Sequence, residues 1–228
     1  MSPPVPLSAL GVQARLLQLA SQSLPTGAFA YSSGLEAAHA RGIVTTEADG
    51  LRFLEGLLMA TPTHLELPLL LRMYDALGAG RPDEAVRYSD QLLASRESRE
   101  FQEQDGQMGR ALGRVLGTIA PGACDPDHPP RTFLEALARA AQYYGLGREE
   151  TALLGLYTWV EQHTTALARL LPLGPLASQR VVDALLELVP TAIARALAVQ
   201  DDDIGFGCPG LALLSAWHET QYTRVFRS

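Results

Sequence analysis

The side chains able to hold a metal, move a proton or attack an electrophile are few in this sequence, and their spacing argues against most of the chemistry they could do. The histidines are His39, His64, His128, His163 and His218. A zinc-binding helix sets two imidazoles four residues apart, as in HExxH, and no pair here has that spacing. Cys124-Asp-Pro-Asp-His128 puts a thiol four residues from an imidazole in a loop, a clip that suits a soft divalent ion such as nickel or zinc, but a third and fourth ligand are missing. Asp201, Asp202 and Asp203 have the hard oxygen donors of a magnesium site. In a loop containing Gly and Pro ahead of a helix they read more simply as a solvated turn or a cap. Ser32-Ser33-Gly34 follows no strand and lacks the G-x-S-x-G pattern, so it is not a nucleophile elbow. All 18 basic residues are arginine. Without lysine the chain has neither a Walker-type phosphate loop nor a Schiff-base amine.

The elements that would position such groups are helical. Leu10, Ala14 and Leu17 recur on one face while Gln13, Arg15 and Gln18 take the other. Phe133, Leu137, Ala141 and Tyr144 repeat the pattern, as do Val182, Leu186, Val189, Ile193 and Leu197, where Pro190 is expected to kink or split the helix. Breaks fall at 78–82, 121–130, 145–147, 172–175 and 200–210, where Gly and Pro cluster. The pattern predicts an all-α, single-domain helical bundle of about eight to ten helices over 1–228, with no fixed-period repeat and no interdomain linker. Residues 1–9 read as a flexible N-terminal segment. Gly106, Gly109, Gly113 and Gly117 lie three or four residues apart on one helix. Each costs about 1 kcal/mol relative to alanine, so close approach of a neighbouring backbone, or of a partner's helix, must offset them.

Composition narrows the partners. The 228 residues carry a formal charge of −7 and no basic stripe, which disfavours nucleic acid. Cys124 and Cys208 are too few for a disulfide framework and fit a reducing cytosol. The N-terminus lacks a basic region followed by an apolar run, the mark of a secretory signal. The longest apolar stretch, 151–171, carries Glu161, Gln162, His163 and Arg169, which argues against a membrane span. The expected location is the cytoplasm. What remains are arginine- and aromatic-rich segments, the residue types that anchor protein interfaces.

Four such segments carry a resemblance. Leu16 to Glu36, LLQLASQSLPTGAFAYSSGLE, runs from a helix through a Pro-Gly turn and aromatics into Ser-x-Gly-Leu-Glu. Ser95-Arg-Glu-Ser-Arg-Glu-Phe-Gln102 precedes Gly109-Arg110; Tyr157-x-Trp159 leads through Gln162 to Leu171-Pro-Leu-Gly174 and Gln179-Arg180; and the last run is His218-Glu-Thr-Gln-Tyr-Thr-Arg-Val-Phe-Arg-Ser228. In that order they resemble the UreF family of urease accessory proteins. One departure is Pro175-Leu176-Ala177, where the family usually shows a glutamine and a more polar stretch.

The resemblance implies an all-helical homodimer that assembles with UreD (also called UreH), the GTPase UreG and apo-urease to support GTP-dependent nickel insertion. It implies no catalysis and no cofactor of its own, and a role in gating or stimulating GTP hydrolysis. Phe29, Tyr31 and Glu36 in the N-terminal signature, and Tyr222, Arg224 and Phe226 in a partner-docking tail spanning 221–228, are the partner-binding residues it implies. Arg224, near the end of the chain, is expected to serve a partner while adding little to the core. The wide apolar faces, more than a core of 24.5 kDa obviously needs, are consistent with a dimer. A metal-dependent enzyme using Cys124, His128 and the aspartate cluster, and a helical regulator with no link to nickel, stay open as alternatives on the residues alone.

Overall fold

A computed structural model describes residues 7–205 and 207–228. Among them the secondary structure is helical, in eleven α-helices: α1 (Ala9–Ala20), α2 (Leu35–Ala40), α3 (Glu47–Thr61), α4 (Leu67–Gly78), α5 (Pro82–Ala94), α6 (Arg99–Ile119), α7 (Phe133–Tyr144), α8 (Arg148–Leu170), α9 (Pro175–Leu186), α10 (Val189–Ala198) and α11 (Pro209–Glu219). Eleven exceeds the expected eight to ten because glycine, proline and turn residues cut the rods into short pieces. Of the segment expected to be flexible, residues 1–6 lie outside the described residues. Ser8 caps α1 by accepting from the Gly11 N–H, and Ala9 already belongs to the helix.

Hydroxyl caps start several helices, as the sequence chemistry favours. Thr46 and Asp49 form a reciprocal capping box on α3, and the Thr46 and Thr45 hydroxyls hold the Asp49 carboxyl down to about 2. Ser98 accepts from the Phe101 N–H on α6, and Thr132 from the Glu135 N–H on α7. α3 and α4 are joined end to end by a π-helical turn, Pro62–Glu66. Pro62 has no N–H for the Leu58 carbonyl, and the Thr63 hydroxyl donates to that carbonyl instead, at 2.7 Å. The turn carries Glu66 into the interior.

The longest helix, α8, is the centre of the bundle and packs against α1, α2, α4, α7, α9 and α10. Leu154, Leu156, Val160 and Leu167 from α8 join Leu69, Leu70 and Met73 from α4 and Leu137 and Ala141 from α7 in one hydrophobic core. No helix is long and apolar enough to cross a membrane among the described residues. Glu187 and Leu188 separate α9 from α10 just ahead of Pro190, so the expected split occurs. α9 itself starts at Pro175, in the stretch that departs from the resemblance, and Leu176 stands exposed there.

Two expectations about faces change. Leu10, Ala14 and Leu17 do form a stripe on α1, but it faces outward; the helix buries Leu19 and Ala20 and lays Arg15 over the Tyr144 ring at 4.9 Å. The glycine series on α6 divides. A Cβ on Gly109 would meet the Thr132 carbonyl at 2.6 Å, and one on Gly113 would meet the Pro130 ring at 2.8 Å, so these two allow the start of α7 to approach. A Cβ on Gly117 would meet open space.

Candidate functional site

The six residues expected at a partner surface are brought to one place, where the turn from α1 into α2 meets the segment after α11. The N-terminal side is shaped by Gly27 at φ 78° and Gly34 at φ 87°, left-handed conformations that favour glycine. A Cβ on Gly34 would also strike Leu211 of α11 at 2.8 Å. Between them the short 3₁₀ turn Ala28–Ala30 leaves Phe29 70% exposed.

The C-terminal segment is docked onto this turn by backbone hydrogen bonds. The Arg227 N–H donates to the Ala30 carbonyl at 2.8 Å, and the Ser32 N–H and hydroxyl donate to the Ser228 carbonyl at 2.8 and 2.5 Å. The Ser228 hydroxyl donates to Gln104 Oε1 on α6. Arg169, near the end of α8, donates to the Phe29 carbonyl at 2.6 Å and lies over the Phe226 ring at 4.5 Å. One guanidinium thus ties the turn, the central helix and the segment together.

Under this junction is a charged network. Glu36 is 5% exposed, and its carboxylate accepts from the backbone N–H groups of Val225 (2.7 Å) and Phe226 (2.9 Å). His218, fully buried, sets Nε2 at 3.1 Å from Glu36 Oε2 and Nδ1 at 2.6 Å from Glu100 Oε2. Arg224 Nη1 donates to Glu100 Oε1 at 2.7 Å, and the rest of its guanidinium donates to the carbonyls of Glu219 and Gln221. The tail is therefore part of the fold, and Arg224 contributes to it, contrary to the expectation from its position near the end of the chain.

The six residues separate by exposure. Phe29 and Tyr222 face solvent, with Tyr222 fully exposed, and Arg224 is partly exposed. Tyr31, Glu36 and Phe226 are buried within the chain, and the Tyr31 hydroxyl donates to Gln107 Oε1 at 2.7 Å. The latter three hold the surface from beneath and do not themselves form it. Sequence reasoning passed over Glu100, Arg169 and His218 as members of the site. Glu100 and His218 lie inside the motifs, but histidine spacing speaks only to metal ligation, and nothing local distinguishes Arg169.

A second buried network lies farther in, beside a cavity of about 70 Å³. Arg96 pairs with Glu66 Oε1 at 2.7 Å and Asp105 Oδ2 at 2.6 Å. Burial would lower the Arg96 guanidinium, but the two carboxylates outweigh it and hold it above its ordinary value. Burial raises the Asp105 carboxyl despite Arg96. His163, 4% exposed, stacks on Trp159 at 3.9 Å and shares a hydrogen bond through Nδ1 with the Trp159 carbonyl. Burial, with the Arg96 charge adding to it, pushes His163 down to about 4.

The metal candidates are not assembled. The Cys124 thiol faces Arg139 and is raised by burial, while the His128 ring faces Asp125 at 3.0 Å. Asp201, Asp202 and Asp203 form an exposed 3₁₀ turn in which Asp201 pairs with Arg72. Among the described residues, no group of three or more His, Cys, Asp or Glu is arranged to hold a metal.

A family model for UreF matches residues 44–186. The chain belongs to the UreF family. The urease accessory protein UreF of Chromohalobacter salexigens is 40% identical over 216 residues, covering 94% of each chain. That of Teredinibacter turnerae is 36% identical over 214 residues, covering 93% of this chain and 97% of its own. That of Pseudomonas putida is 38% identical over 216 residues, covering 94% and 96%. The signature turn before residue 44 and the docked segment after residue 186 lie outside the UreF model's match, yet the full-length relatives align across nearly the whole chain.

Proposed function

We propose that this UreF-family chain is a cytoplasmic, non-catalytic binding subunit of urease maturation. It assembles with UreD (UreH), the GTPase UreG and apo-urease so that nickel is inserted at the expense of GTP, and it regulates the GTP hydrolysis of its partner. The observation that carries this reading is the junction of the N-terminal turn with the C-terminal segment. It displays Phe29, Tyr222 and Arg224 outward over a buried, hydrogen-bonded support. Aromatic and arginine side chains presented on a rigid base are the usual anchors of protein interfaces, because little conformational entropy remains to be lost on binding. Phe29, Tyr222 and Arg224 are the contact residues in this reading, and Tyr31, Glu36 and Phe226 position them. A homodimer is part of the same proposal, and the outward Leu10, Ala14 and Leu17 stripe of α1 is the apolar surface best suited to a second copy.

The test is co-purification of UreD, UreG and apo-urease with the wild-type chain and with a Phe29→Ala, Tyr222→Ala double variant. We expect recovery with the wild type and a loss of roughly tenfold or more with the variant at unchanged melting temperature. Equal recovery with both would remove the junction as the recruiting surface. Failure of the wild type to recover any of the three would overturn the maturation role.

A further inference from the structure

The cavity beside the inner network is lined by polar side chains that the protein leaves only partly paired. It lies where the end of α3 and the turn after it face α6 and α8, with a volume of about 70 Å³. Arg96 meets Asp105 through Nε and Glu66 through Nη1, and each carboxylate uses one oxygen. Glu66 Oε2, Asp105 Oδ1 and Arg96 Nη2 make no hydrogen bond among the described residues. His163 lines the same cavity. Its Nδ1 lies 2.8 Å from the Trp159 carbonyl, which can only accept, so Nδ1 carries the N–H. Burial holds the imidazole down to about 4, so near pH 7 the ring is neutral and Nε2 is an acceptor. No donor among the described residues reaches that nitrogen. The hydroxyl of Thr61, the last residue of α3, is buried and also lacks a partner, although a helical threonine can donate to the carbonyl four residues back.

We propose that this cavity is a binding site for ordered water, which joins His163 Nε2 and the Thr61 hydroxyl to the Glu66, Arg96 and Asp105 triad. The hydrogen-bonding capacities match. A water molecule has two hydrogens and two lone pairs. It can donate to Nε2 and to a free carboxylate oxygen while accepting from Arg96 Nη2 and from Thr61. One water needs at least about 10–15 Å³ of cavity, so the volume admits more than one. Leu57, Phe101 and Met108 also line the space, and a wholly apolar lining would keep it dry; the convergence of polar groups decides otherwise. An apolar occupant would leave each of those groups unpaired, which costs about as much as a lost hydrogen bond for each. A metal ion finds no ligand set there among the described residues. A few held water molecules complete hydrogen bonds without the mobility by which bulk solvent screens charge.

The experiment uses the full chain without any partner, near pH 7. Nuclear Overhauser effects from water to the carbon-bound ring protons of His163 and to the Thr61 methyl report water held in the cavity. Ring ¹⁵N resonances report which nitrogen has the proton. We expect water contacts of long residence at both residues, with Nδ1 protonated and Nε2 bare. Thr61→Val then separates a hydrated cavity from a dry one by the sign of its effect, because the two side chains have nearly the same shape and helix propensity. In a dry cavity the hydroxyl is an unpaired burden, and its removal raises the melting temperature. With water bonded to it, T61V loses a hydrogen bond, and the melting temperature falls by about 2–4 °C. Absence of water contacts at the His163 ring overturns the proposal. So does a proton on Nε2 in place of Nδ1, or a melting temperature that is unchanged or higher in T61V. Should T61V fail to fold, the wild-type water contacts and ring resonances decide the question on their own. No readout depends on recruitment of a partner, so this site and the proposed function can fail separately.

Discussion

Two histidines are buried in this protein to nearly the same degree, and their surroundings differ in sign. His163 lies in the core of α8 with its ring stacked on Trp159, a backbone carbonyl on one nitrogen and the Arg96 cation nearby. Removal from water and the like charge both oppose its proton. His218 lies between the Glu36 and Glu100 carboxylates. Two rings buried to the same degree thus meet surroundings of opposite charge, a cation beside one and two carboxylates beside the other. The contrast extends to the arginines. Arg96 balances two carboxylates deep in the bundle, where nothing is displayed. Arg224 shares Glu100 with His218 and keeps part of its guanidinium at the surface. The inner network ties the turn after α3 to α6 inside the bundle, and the outer one holds a segment whose other face is exposed.

The largest effect is expected from breaking the inner network. Arg96→Met leaves Glu66 and Asp105 buried without their cation and should cost about 3–5 kcal/mol, seen as a large fall in melting temperature. It also removes the like charge beside His163, so the histidine should accept a proton more readily. A smaller loss that preserved the melting temperature would mean that water reaches the Arg96 cavity and screens the carboxylates.

Next is the acid limb. His163, held at about 4 in the fold against about 6.5 for a free imidazole, favours the neutral form. Its contribution is complete above pH ~6.5 and is lost as pH falls towards about 4, roughly 3 kcal/mol in all. Melting temperature measured against pH should show that loss in the wild type, and H163Q should flatten it. An unchanged acid limb in H163Q would place the acid sensitivity elsewhere and weaken the contrast between the two rings.

Arg224→Ala removes one ion-pair contact and two carbonyl contacts at a half-buried site. We expect about 1–2 kcal/mol of lost stability, faster exchange confined to 221–228, and weaker recovery of UreD and UreG. A global rather than local increase in exchange would show that the outer network belongs to the core after all. The smallest structural effect belongs to Tyr222→Ala, whose ring touches solvent on every side. Stability should change by less than about 0.5 kcal/mol while partner recovery falls roughly tenfold. Unchanged recovery would take Tyr222 out of the interface.

Much of the molecule was legible before any coordinates. The 3.6-residue pattern, the Ser and Thr caps, the turn around Gly27 and the break ahead of Pro190 are short-range consequences of residue type, decided within a few positions along the chain. The motif series pointed to the UreF family for the same reason that local patterns survive in sequence. The motifs singled out the six candidate residues at the two ends of the chain, but neither their meeting at one junction nor their division into displayed and buried was readable. Phe29 and Phe226 are the same residue type in equally aromatic segments, and only the position of Arg169 and α8 makes one a surface and the other a support.

The sequence by itself determined an all-helical chain without a phosphate loop or nucleophile elbow, and it determined which segments resemble UreF, because those properties depend on composition and on neighbours close along the backbone. The tertiary structure alone decided that the α1 leucine stripe faces outward, that Gly109 and Gly113 admit the start of α7 while Gly117 does not, and that Glu36 meets His218 across 182 positions. Those outcomes depend on which helices come to lie against each other. The charge state of a buried side chain is set by neighbours that the linear order keeps far apart.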